Sequence, residues 1–212
     1  TETKQFDMTL NFHAVHQFDA SLNDGGDVGM NRFGFELRCD EKFTESDEVA
    51  FRFQTQHDNW NFAGTSGLGA QDPFDKINTV EIGAQWYHSV SPKTTWFFGS
   101  LIRSSYEHDF NDGLVFSGNI GVIHNYSSTL TFGFGLGAMG QVHDDAKIFP
   151  VLVLNWEINP DLRLTSDIST RIGSRIGVEL VYTGRKDWTF GVGLSSEYGR
   201  FSLDNSGVAP NG

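Results

Sequence analysis

Apolar and polar residues alternate along this chain with a period of two, and the pattern recurs about eleven times. The clearest run is Leu130-Thr131-Phe132-Gly133-Phe134-Gly135-Leu136-Gly137-Ala138. Leu, Phe, Phe, Leu and Ala take one parity, Thr and glycines the other. Successive side chains of a strand point to opposite faces, so this run predicts a strand with one apolar face. Glycine at that density destabilises a helix interior, which removes the helical alternative.

The same alternation sets Phe6, Met8, Leu10 and Phe12 against Asp7, Thr9 and Asn11. It sets Phe33, Phe35 and Leu37 against Arg32, Glu36 and Arg38, and Phe51 and Phe53 against Arg52 and Gln54. Val80, Ile82, Ala84 and Trp86 oppose Glu81, Gly83 and Gln85. Leu152, Leu154 and Trp156 oppose Asn155 and Glu157, and Leu162, Leu164 and Ile168 oppose Arg163 and Asp167. Ile176, Val178, Leu180 and Tyr182 oppose Arg175 and Glu179, and Trp188, Phe190, Val192 and Leu194 oppose Gly191 and Gly193. Segments 94–105 and 115–126 read as strands whose facing the pattern leaves open, because Phe97 and Leu101 fall on the parity expected to be polar.

Connections alternate in length. Short turns are expected near 90–93, 127–129, 159–161 and 184–187, and longer polar loops near 17–27, 58–76, 106–114 and 141–148. The 40–47 connection is intermediate, and 172–174 is short. This layout predicts one all-β domain over 1–212, an antiparallel up-and-down transmembrane β-barrel with short turns at one end and loops at the other. The strand tally is about 11. Single-chain bacterial barrels carry even numbers, so twelve is the simplest total and the last strand or strands are expected beyond this sequence.

Composition sharpens the choice. No stretch approaches the roughly 20 apolar residues of a spanning helix. Aromatics reach 14%, glycines number 24 and prolines 5, which suits strands and tight turns. A formal net charge of −12 argues against a nucleic-acid partner, because phosphate backbones are repelled. The one cysteine, Cys39, excludes an internal disulfide framework.

Alternation alone does not separate a membrane barrel from a soluble one that binds a small ligand, where the apolar face points inward. Two features place the apolar face in lipid. The polar parity is heavily charged with mixed signs, so Arg32, Glu36, Arg52, Glu81, Glu157, Arg163, Asp167, Arg175 and Glu179 are expected to line a lumen and pair across it. Four of the 5 tryptophans flank short turns: Trp86, Trp96, Trp156 and Trp188, with Tyr182 beside the last. Aromatics gathered at one rim suit the headgroup layer of a membrane. The turn end is then periplasmic, the location the bacterial outer membrane, and the partners its lipids and lipopolysaccharide.

The stretch from Tyr126 to Tyr198 carries Ser128-Thr129-Leu130, Ile148-Phe149-Pro150-Val151 and the run from Asn155 to Leu164 with its Asn159-Pro160-Asp161 turn. In these features it resembles a family of presumed bacterial outer-membrane β-barrels of unknown function. The resemblance covers about a third of the chain. It implies location and fold and no activity.

Candidate chemistry is sparse. His57, His108, His143 and Asp144 are weak metal candidates in the expected loops, since imidazole with carboxylate is a reasonable ligand set. Acidic residues on those loops, among them Asp19, Asp24, Asp27, Asp58, Asp72, Asp75, Glu107, Asp109, Asp112, Asp144 and Asp145, are candidates for divalent cations. The commoner reading of both sets is solvated loop surface, and no cofactor is expected. Tyr87-His88-Ser89 is the one close His/Ser pair near a strand, and adjacent strand residues face apart, so an enzyme is not expected. The leading function is a barrel with a polar, charge-paired lumen, either a narrow channel for small solutes or a structural barrel. The alternatives are an outer-membrane enzyme acting on lipid and a soluble ligand-binding barrel. Solute, conductance, oligomeric state and protein partners are not written in the pattern.

Overall fold

Eleven strands follow one another around a single antiparallel sheet, each paired to its neighbours in chain order, in a computed structural model that describes residues 5–23, 25–166, 175–185, 188–197 and 200–204. They are β1 (Gln5–Ser21), β2 (Asp27–Lys42), β3 (Asp47–Ala63), β4 (Lys76–Ser91), β5 (Thr94–Tyr106), β6 (Leu114–Asn125), β7 (Leu130–Gln141), β8 (Asp144–Asn159), β9 (Leu162–Thr165), β10 (Arg175–Arg185) and β11 (Trp188–Glu197). One short helix, α1 (Gly67–Gln71), lies in the β3–β4 connection. Among the described residues β1 and β11 are the two edges of the sheet and do not pair with each other. No described helix is long and apolar enough to cross a membrane.

The sheet is nevertheless strongly curled. β11 and β5 are six strands apart, about 29 Å across a flat sheet. Ser202, five residues beyond the end of β11, forms a parallel bridge with Tyr106 of β5. Five residues span at most about 18 Å, so the sheet must bend back on itself to bring its edge strand opposite β5.

Curling gives the sheet an inner and an outer face, and the two are inverted relative to a water-soluble fold. On β4, Glu81 is 6% exposed while its neighbour Ile82 is 58% exposed. Phe33, Phe51, Phe98, Phe116, Phe134 and Leu152 are likewise exposed on the outer face. The inner face of β6 and β7 carries buried Gly121, Gly133, Gly135 and Gly137. Phe97 points inward and is 2% exposed. Its ring covers this glycine floor so closely that a Cβ on Gly121 would sit 2.3 Å from its Cζ. Phe149 covers Gly137 in the same way. Phe97 and Leu101, which broke the polar parity in sequence, are thus inner-face residues buried over a floor without side chains.

Connections follow the alternating pattern with some corrections. The β4–β5 turn is Pro92-Lys93 and the β8–β9 turn is Pro160-Asp161. The expected long loop at 141–148 is instead a tight hairpin through Val142 and His143, the latter in a left-handed conformation (φ 55°). Strand pairing continues through the polar residues there, with Lys147 opposite Met139. The expected loops at 17–27 and 58–76 shrink similarly, because β1 runs to Ser21 and β3 to Ala63. At the loop end the first two connections pack together through glycines: a Cβ on Gly69 would lie 2.3 Å from the Ala63 carbonyl oxygen and 2.7 Å from Gly26 Cα. The expected connection at 172–174 falls outside the described residues.

Candidate functional site: the charged interior

Register brings the inner-face charges together. Glu36, Gln54, Glu81 and Arg103 are successive partners across β2, β3, β4 and β5. Arg52 lies one inward-facing step along β3 from Gln54 and reaches diagonally to both acids. Its Nε is 2.9 Å from Glu36 Oε2, and its Nη2 is 3.8 Å from Glu81 Oε2. Arg103 Nε approaches Glu81 Oε1 at 3.5 Å and donates to Ser105 Oγ at 2.9 Å. Ser105 Oγ in turn shares a 2.9 Å hydrogen bond with Thr79 Oγ1. The result is a belt of two carboxylates and two guanidiniums, all largely shielded from solvent. Such groups hold together only when charges match and donors find acceptors.

Nearer the loop end Arg32 donates from Nε and Nη2 to the two carboxylate oxygens of Asp58, each at 2.8 Å. This bidentate pair corrects the placement of Asp58 among the outer loops: it is buried on the inner face of β3. Nearer the turn end Arg38 grips Asp40, two residues along the same strand, at 2.7 Å. Beyond it opens a cavity of about 380 Å³ lined by residues that include Arg38, Glu48, Gln85, Asn119, Ile123 and Val153.

The other expected lumen residues are less tightly engaged. Glu157 and Arg163 are cross-strand partners at the turn end, and both are exposed. The Glu179 carboxylate lies over Gly191, where a Cβ would meet its Oε1 at 2.1 Å. Asp167 and the side chain of Arg175 lie outside the described residues. Sequence reasoning did not put Arg103 in the lumen set, because Phe97 and Leu101 on the same strand blurred which parity faced in. The signal that would have found it is its register opposite Glu81.

Trp86, Trp96, Trp156, Tyr182 and Trp188 all stand exposed on the outer face toward the turn end. Trp86 donates from Nε1 to Asp47 at 3.1 Å and stacks on Phe98. At the loop end the outer face turns polar: His16 hydrogen-bonds Asn31 at 2.8 Å and His57 hydrogen-bonds Asn78 at 2.7 Å.

The metal candidates are not brought together. His57 sits on β3 rather than in a loop and bonds Asn78 and Asn59. His108 is 3.9 Å from Asp204, His143 is in the β7–β8 hairpin, and Asp144 pairs with Arg200 at 2.8 Å. No cluster of three or more metal-ligating side chains occurs among the described residues. His88 faces out to Asp47 at 2.8 Å, while Ser89 bonds Thr95 at 3.0 Å, so the two do not form a dyad.

Chemically, the described interior presents fixed charges in matched pairs. No model of a known protein family matches the chain, and no curated protein does, so the resemblance over 126–198 rests on its own residues.

Proposed function

We propose that this chain forms the wall of a bacterial outer-membrane β-barrel whose lumen is narrowed by paired charges. The observation that carries the reading is the inversion of the two faces: charged side chains are shielded inside the curl while large apolar ones stand exposed outside. A soluble ligand-binding barrel would carry the opposite arrangement.

The dimensions fit. On the outer face of β4 the polar residues Asn78 and His88 bracket Val80, Ile82, Ala84 and Trp86. The brackets are ten residues apart, about 33 Å along the strand, so the apolar band between them has at most about 25 Å of height at a tilt of about 40°, the height of the band in membrane barrels. Tryptophans border it on the turn side, histidines and asparagines on the loop side. Hydrocarbon does not tolerate open sheet edges, so the reading requires the β1 and β11 edges to be joined in the membrane. The belt of Glu36, Arg52, Glu81 and Arg103 then narrows the interior, and the turn-side cavity is a blind vestibule.

Reconstitution tests both parts. The protein should stay with liposomes through a urea wash and give small or undetectable conductance in planar bilayers. Recovery of folded protein in the aqueous phase without detergent would overturn the barrel. Large, stable, porin-like conductance would overturn the narrowed lumen alone.

A further inference from the structure

The five residues Arg200 to Asp204 leave the edge of the sheet and reach its far side. The Ser202 N–H donates to the Ser105 carbonyl at 2.9 Å, and the Glu107 N–H donates to the Ser202 carbonyl at 3.0 Å. The Asp204 N–H donates to Glu107 Oε2 at 2.8 Å. Pairing of β5 with β6 stops at Ser104 and Leu114, so Ser202 takes the place beside β5 that β6 has vacated. Ser202 and Leu203 are buried, 4% and 6% exposed. On the way the segment touches two further loop-end connections. Arg200 pairs with Asp144 of β8 at 2.8 Å, and the Phe201 ring meets the edge of Phe74 in the β3–β4 connection at 5.1 Å.

The segment lies directly on the charge belt. Arg200 shares with Arg103, Val115, Met139 and Gln141, all inner-face residues, a void of only about 20 Å³. Arg103 is itself bound to Glu81 below. Arg200 and the belt residue Arg103 therefore face each other across this void.

We infer that residues 200–204 are a strap that seals the loop-side mouth of the lumen and screens the belt from that side. This rests on the barrel reading. The fastening is of two kinds. Backbone bonds to β5 and the burial of Leu203 hold one end. The other is held by the Arg200–Asp144 pair, whose side chains are close to half exposed and so weakened by salt.

The test uses the whole chain in liposomes with Cys39→Ala and one new cysteine, Val115→Cys, in the void beneath Arg200. A membrane-impermeant thiol reagent is added from the loop side. With the strap intact labelling should be slow, and in an Arg200→Ala/Leu203→Ser background at least tenfold faster. Equal rates in the two backgrounds would overturn the strap. Phe116→Cys and Ile120→Cys, on the outer face of the same strand, are controls for folding and for the barrel itself. Both should stay unreactive in either background. If they react freely in the intact-strap protein, the barrel reading fails and the strap falls with it. If they react only in the released background, the segment holds the wall together rather than sealing a mouth, and the inference is again overturned.

Discussion

A guanidinium in hydrocarbon is among the most costly groups a strand can present, and the outer face of β7 offers a direct place to put one. Phe134 is exposed midway along β7, opposite Leu152 and Val122. Phe134→Arg is expected to destabilise the folded protein in bilayers by about 2–4 kcal/mol, read as a lower urea midpoint. An unchanged midpoint would remove Phe134 from the lipid face. On the inner face the corresponding residue is Glu81, which lies between two arginines. Glu81→Ala leaves Arg103 without this carboxylate and Arg52 with Glu36 as its acid, at a cost of about 3 kcal/mol, measurable by the same titration. A loss below about 1 kcal/mol would mean that water already solvates the belt. An inward glycine has no room for a methyl at Gly133, where a Cβ would lie 2.8 Å from the Val122 carbonyl oxygen and 3.0 Å from Val153 Cβ.

At the scale of elements, the strands, and the facing of all but β5 and β6, were legible because one face must be apolar and the period is two. What the pattern could not give was register, and register makes the site. The belt exists because Glu81 lies opposite Arg103 and diagonal to Arg52. The β7–β8 hairpin was misread for a related reason. Asp144, Asp145 and Lys147 are polar like a loop, yet they continue the strand where its rim meets water. The Arg200–Asp204 strap was hidden in an unpatterned tail. Loop positions yield a topological prediction. Cysteine at Asp109, in the β5–β6 connection, should be labelled from outside intact cells, and cysteine at Lys93, in the β4–β5 turn, should not. The reverse outcome would invert the orientation.

At the scale of the whole molecule, the account stands on which side of the curled sheet meets lipid. A nitroxide scan along β4 asks this without reference to transport. Labels are placed one at a time at 79 to 85 in a Cys39→Ala background, and their collision rates with oxygen and with a water-soluble nickel chelate are measured in liposomes. Oxygen concentrates in hydrocarbon and the chelate in water. A lipid-facing outer surface gives high oxygen contact at 80, 82 and 84, low contact with both reagents at 79, 81 and 83, and chelate contact at 85, which lines the turn-side vestibule. Free access of the chelate to 80, 82 and 84 would contradict this facing.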